Sequence, residues 1–348
     1  MFITLLKNVL WAPIKAKYQE RIIKKELIEY QKVFKESFPT LTVETLSDTN
    51  FVKRLLYDRL EAEKISILNN KKKGELNIIY LSPFDNWEKV NIPSALEKFG
   101  SVHYFDMGIY KQIISKQKYP KNWSDLRKKL NTEIIDFIDK INRDRKVDVV
   151  ISYLSGKHIL PETIQKINNL GIITTAFWLD SDLKFKSTFD GEVYSGAASV
   201  CSAYHLNLCS DSKNIIKYFV EKGLAVFWPE GANPDHFKPL EFEEKKYDVS
   251  FIGAKYGLRS QYIHYLRKHG INVATFGFGW GGGNITGDEM IKIYSQSKIN
   301  LGFGGIGYSM SATHLKGRDF EVPMCGAVYL TTYDEDLELL YKIDKHIF

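Results

Sequence analysis

The sequence predicts an α/β protein: two consecutive parallel-sheet domains behind a basic helical extension. Three observations lead there. Short apolar runs alternate with helix-period segments from Asn77 to Trp228. The run Pro229-Glu230-Gly231-Ala232-Asn233-Pro234 then breaks all regular structure. From Asp248 the same alternation resumes. A strand–helix alternation of this kind argues for parallel sheets wrapped by helices.

Residues 1–38 read as helix. Phe2, Ile3, Leu5, Leu6, Val9, Leu10, Trp11 and Ile14 crowd its start, and Lys15, Lys17, Arg21, Lys24 and Lys25 follow. Lys7 interrupts the apolar run and no small-residue cleavage site follows, so this is no secretory signal. Apolar residues with trailing lysines suit an interfacial membrane helix through residues 1–25. A helix packed on the protein's own body is the favoured alternative. Residues 43–68 predict a second helix that Ser47 or Asp48 can cap. Lys71-Lys72-Lys73-Gly74 marks the boundary.

The first array runs as strand Asn77–Leu81, helix Ile92–Phe99, strand Val102–Phe105, helix Trp123–Asn142 and strand Val147–Leu154. Helix Pro161–Asn169 has proline at its start, where the missing N–H costs nothing. Strands Ile172–Leu179, Leu206–Cys209 and Leu224–Trp228 and a helix over 212–222 complete it. The second array predicts strands at Asp248–Ile252, Ile271–Phe276, Ile299–Phe303 and Ala327–Thr331, with helices at Arg259–His269 and Asp288–Gln296. The predicted domains are 1–74, 75–232 and 233–348.

Composition is that of an ordinary globular protein, with 44% hydrophobic and 26% charged residues among 348. No apolar run reaches the roughly 18 residues that span a bilayer. The three cysteines form no CxxC pair and suggest a reducing cytoplasm, with membrane association at the cytoplasmic face if residues 1–25 engage lipid. The net charge of +6 is local: residues 1–73 hold fifteen Lys/Arg against nine Asp/Glu, and the remainder is neutral. Nucleic-acid contact through the lysine triplet is a minority reading, because no aromatic residues are interleaved.

Chemistry concentrates in Ile299 to Tyr333. A buried strand leads into a turn with Gly304, Gly305 and Gly307, and Ser309, Ser311 and Thr313 follow as possible helix caps. A short helix then carries Arg318 and Glu321 on one face, and Gly326 closes it. Strand, glycine turn and helix start make an anion site. A cation there suits phosphate, and a carboxylate can accept both hydroxyls of a ribose. The bland alternative is a surface ion pair worth about 0.2–0.5 kcal/mol. Pro323 predicts a helix kinked there or finished by Val322.

The segment KGRDFEVPMCGAVYLTTYDEDLELL resembles the donor-binding stretch of GT-B-fold glycosyltransferases, in particular the group related to spore maturation proteins. The resemblance covers roughly Leu76 to the C-terminus and is most specific from Tyr247. It implies two Rossmann-like domains facing across a cleft, with Pro229–Pro234 as hinge, and transfer of a sugar from a nucleotide diphosphate to an acceptor hydroxyl. It further implies that Glu321 binds the donor ribose and that Arg318 lies near the pyrophosphate. Retaining members carry another glutamate eight positions earlier, where this chain has Thr313, so inversion is favoured. The chain stops at Phe348, where GT-B enzymes continue, which reads as an incomplete second domain.

Loops after strands are where ligands sit in such sheets. On the donor side Gly253, Lys255 and Arg259 would meet phosphates, and Gly277 to Trp280 would wall the pocket or stack on a base. On the acceptor side the candidate bases are Asp180, then Asp182, then His158; the Ser82–Asp85 loop is a further element. No cofactor or metal is required beyond the nucleotide sugar; the acceptor is a glycan, a protein or a lipid-linked group. The rivals are a non-catalytic binding scaffold, a nucleic-acid-binding protein and a metal-dependent GT-A transferase using Asp180-x-Asp182.

Overall fold

The computed structural model describes residues 2–66, 71–83, 88–107, 110, 122–187, 196–241, 244–309 and 311–348, with side chains from residue 13 and none for 88–90. It contains two parallel sheets, in agreement with the predicted α/β class. The chain forms two compact units, Leu27–Trp228 and Pro229–Phe348 together with Met1–Glu26. The first 74 residues are thus shared between the units.

In the Leu27–Trp228 unit the strands are β1 (Leu76–Leu81), β2 (Gly100–Tyr104), β3 (Val149–Ser152), β4 (Ile173–Trp178), β5 (Leu206–Cys209) and β6 (Ala225–Phe227). Their order is β2-β1-β3-β4-β5-β6, all parallel. β1 is buried from Asn77 to Leu81 because both faces of a parallel sheet are covered, which is why Ile78–Leu81 is a continuous run instead of an alternation. The second sheet contains β7 (Tyr247–Ile252), β8 (Val273–Phe276), β9 (Ser297–Leu301) and β10 (Tyr329–Leu330) in the order β10-β9-β7-β8. Counted from each sheet's own first strand, both run second, first, third, fourth. Each therefore has a switch point between its first and third strands, where a crevice opens at the carboxyl ends.

Helix α1 (Phe2–Ser37) buries one face, with Ala16, Ile23 and Tyr30 spaced seven apart. The predicted helix over 43–68 is two, α2 (Val43–Ser47) and α3 (Thr49–Ala62), because Asp48 leaves the helical region and caps the second by accepting from Asn50 N at 2.9 Å. Tyr30, Phe34, Leu46 and Val52 join the core formed by Ile79, Val150 and Ala176. The smaller second core gathers Val249, Phe251, Ile263, Val273 and Leu301. Among the described residues no helix is long and apolar enough to cross a membrane.

Candidate functional site

The crevice of the second sheet is built from the loops after β7, β8 and β9. Gly253 ends β7 at φ +153°, and a Cβ there would meet Nη1 of Arg318 at 2.8 Å. A side chain at Gly277 would meet the Gly253 carbonyl oxygen at 2.6 Å, so two neighbouring loops touch backbone to backbone. Trp280 Nε1 donates to that same carbonyl at 2.8 Å, and Lys255 Nζ lies 5.1 Å from the Trp280 ring centre. Lys255 and Trp280 thus form one wall. Arg259 corrects the expectation of a phosphate ligand. It is nearly inaccessible, donates from Nη1 to Ala254 O at 3.0 Å and from Nη2 to Tyr256 Oη at 2.8 Å, and stacks on the Tyr256 ring. Its guanidinium staples its own loop.

Helix α11 (Arg318–Met324) follows Gly317; the intervening helices are α4 (Glu88–Leu96), α5 (Trp123–Asp144), α6 (Pro161–Asn169), α7 (Ser181–Lys184), α8 (Ile215–Val220), α9 (Arg259–Lys268) and α10 (Gly287–Gln296). The Arg318 guanidinium lies 5.2 Å from the Phe251 ring centre, and its Nε and Nη2 are buried without a hydrogen-bond partner among the described residues. Buried polar atoms are ordinarily satisfied, so such a group marks a place for an anion. Glu321 is 3% exposed and accepts from Tyr294 Oη at 3.0 Å. Burial and then the Glu321 charge hold the Tyr294 hydroxyl well above its usual pKa, so it stays a donor. The surface ion pair considered for Arg318 and Glu321 gives way to a half-buried Arg318 with two inaccessible nitrogens and a buried Glu321. Next to Arg318, Asp319 accepts from Tyr329 Oη at 2.8 Å and Lys316 N at 2.6 Å; burial raises its pKa against those bonds.

Glu230 was not legible as a site residue. It is 5% exposed, and a Cβ on Gly317 would lie 3.4 Å from its Oε2 and 3.1 Å from Oε1 of Glu321. A side chain at Gly317 would crowd the two carboxylates that converge on it. In the sequence Glu230 sits inside a turn-forming run with no periodicity, so nothing there marks it as buried.

Ser309, Ser311 and Thr313 do not cap the next helix, as had been expected. The segment instead folds back on itself, with Gly305 bridging Thr313 antiparallel and Ser309 Oγ accepting from Ala312 N at 2.8 Å. Pro323 neither kinks the helix to a stop nor ends it at Val322, since the helix runs to Met324. The carbonyl that Pro323 cannot serve, Asp319 O, accepts from Tyr341 Oη at 2.7 Å instead. Gly326 closes the helix at φ +65°, as predicted.

In the other unit, His158 is buried. Burial, then Lys157 and Arg127, hold its pKa down to about 3, and its Nδ1 accepts from Ser155 N at 3.3 Å. A group so held is a weak proton acceptor at neutral pH, which removes it from the bases. Asp180 follows β4 in the left-handed region at φ 59°, and its Oδ2 pairs with Lys184 Nζ at 2.6 Å. A non-glycine residue held there carries strain of order 1–3 kcal/mol. Asp182 is 3% exposed, accepts from Asn214 Nδ2 at 3.0 Å and lies 3.3 Å from Lys213 Nζ. The two carboxylates are held by different lysines, so Asp182 is a packed polar group and the metal-bridging reading of the triplet loses its geometry. Among the described residues no three His, Cys, Asp or Glu side chains are grouped to hold a metal. Phe84 and Asp85 lie outside the described residues.

Residues 259–348 match a family model described as glycosyl transferase-like. The match includes Arg318, Glu321 and the loop after β9. No curated protein matches the chain. Two solved structures resemble it remotely. One is an alpha-glucosyltransferase in complex with UDP and a 13-mer DNA containing an HMU base, 10% identical over 74% of this chain and 80% of that one, with a TM-score of 0.41. The other is an alpha-glucosyltransferase in complex with UDP-glucose and DNA containing an abasic site, 9% identical over 77% and 82%, with a TM-score of 0.42.

Proposed function

We propose that this chain transfers a sugar from a nucleotide-diphosphate donor to an acceptor hydroxyl, without a metal and with inversion at the sugar carbon. The observation that carries the reading is Arg318: a guanidinium with two buried, unpartnered nitrogens against Gly253 at the switch point of the second sheet. Glu321, oriented by Tyr294, is assigned the ribose hydroxyls. Lys255 and Trp280 are assigned the outer wall. The acceptor oxygen attacks the anomeric carbon as its proton passes to a general base, and the bond to the diphosphate breaks with its electron pair leaving on the diphosphate; among the first sheet's loops Asp180 is the candidate for that base. Arg318 stabilises the charge that develops there. Thr313, where retaining members of the wider superfamily carry glutamate, supports inversion.

Titration calorimetry with UDP, GDP, ADP, CMP and TDP tests the reading. One nucleoside diphosphate binds the wild-type protein, and Arg318→Ala weakens it at least tenfold; Glu321→Ala does the same. Binding by none of the five, or undiminished binding by both variants, removes the proposal. The acceptor class is then sought among glycans, proteins, lipid-linked groups and nucleic acids, and the part residues 1–25 play at a membrane surface by vesicle flotation.

A further inference from the structure

The loop after β9 has two parts held by different means. Its base is held by the segment after β10 and by the loop itself: Gly304 N donates to Thr332 Oγ1 at 2.8 Å, His314 N to Gly304 O at 3.2 Å and Ile306 N to Ala312 O at 3.0 Å. Its tip is held by helix α1. Tyr308 N donates to Gln19 Oε1 at 2.8 Å. Ser309 Oγ and Ser311 N both donate to Glu20 Oε1, at 3.1 and 3.2 Å. Lys15 Nζ lies 5.1 Å from the centre of the Tyr308 ring. All of these residues belong to the same compact unit.

The loop also packs on the loop after β7, which carries Gly253 and Lys255 of the candidate site. Gly305, Gly307 and Ser309 line a depression with Tyr256, Arg259 and Tyr262. Gly307 O would be 1.9 Å from a Cβ on Gly257, so the loops after β7 and β9 are in backbone contact. Three glycines within four positions give the segment little conformational preference of its own. A loop of that composition takes its shape from what binds its backbone donors. Here the donors at the tip face a half-buried carboxylate and an amide 289 and 291 residues away in sequence. Hydrogen bonds to a charged acceptor are the stronger class.

We propose that Gln19 and Glu20 are positioning residues for the nucleotide site: by accepting from Tyr308, Ser309 and Ser311 they fix the loop tip against the loop after β7, which carries Gly253 and Lys255. This rests on the donor-site reading above. The basic helix then supports the donor site, and the hydrogen bonds it contributes come from one acidic and one amide side chain, with Lys15 over the Tyr308 ring beside them.

Two measurements on the full chain decide it. Amide hydrogen exchange over 304–313 is expected to accelerate at least tenfold in Gln19→Ala/Glu20→Ala. Affinity for the nucleoside diphosphate that the wild type binds falls at least tenfold in Glu20→Ala and recovers most of the way in Glu20→Gln, whose amide oxygen still accepts. Glu36→Ala, the same charge change on an exposed part of the same helix, leaves both unchanged. A fold broken by Glu20→Ala would not spare Glu20→Gln and would accelerate exchange everywhere. Unchanged exchange at 304–313, or faster exchange with undiminished affinity, overturns the inference while the donor-site reading stands. A wild-type protein that binds no nucleoside diphosphate overturns both.

Discussion

His158 and Asp180 both follow strands of the first sheet, and by residue type either is a base. Their surroundings separate them. His158 is neutral in the folded chain because charging it would cost desolvation beside Lys157 and Arg127. Its pKa is about 3 when folded against about 6.5 unfolded. Between those values the unfolded chain binds a proton that the folded chain does not, so His158 makes stability rise with pH across that window and fall on acidification. His158→Gln is expected to flatten the acid side of the stability profile, by up to about 1.4 kcal/mol per pH unit between pH 6.5 and the onset of acid unfolding. Urea melts of both proteins from pH 7 to pH 4 check this; parallel profiles would mean the imidazole is not buried neutral. Asp180 keeps an ionised partner, Lys184, at the residue where the backbone is strained. Strain and a titratable group at one position justify ranking it first. Nothing in the sequence marks either environment, since burial and the αL conformation arise from neighbours far along the chain.

At the scale of elements, sequence pattern located most of the strands and helices, and it failed where chemistry competes with local preference. Helix α11 is the clearest case. Proline inside a helix removes a hydrogen bond and crowds the preceding turn. The element survives because Tyr341, just after the 3₁₀ turn Glu335–Leu339 that follows β10, donates its hydroxyl to the stranded Asp319 carbonyl. Tyr341→Phe should therefore destabilise the second unit by about 1 kcal/mol. It should also lower nucleotide affinity, because Arg318 immediately precedes Asp319 and Glu321 follows two positions on. Equilibrium unfolding and calorimetry on the one variant measure both effects; an unchanged midpoint would show that water serves that carbonyl equally well. The loop after β9 failed differently. Ser309, Ser311 and Thr313 have the residue types of helix caps, but a cap needs a helix starting beside it, and this one starts at Arg318.

At the scale of the whole molecule, stability should report the ligand. A nucleoside diphosphate that binds only the native state adds about 2.7 kcal/mol at a hundredfold excess over its dissociation constant. The melting temperature is expected to rise with the right nucleotide equally with magnesium and with EDTA. A rise only with magnesium would return weight to a metal bridge and count against the metal-free mechanism. The sequence by itself determined the α/β class, the break after Trp228 and the donor-like helix with Arg318 and Glu321. Each is written in local terms: an apolar period, a cluster of turn residues, a fixed spacing on one helix face. The tertiary structure decided the rest. It turned Arg259 into a staple and buried His158. It brought Glu230 to Gly317 and set Gln19 and Glu20 against the loop after β9. Those facts are contacts between residues distant in the chain, and a contact has no signature in the sequence on either side of it.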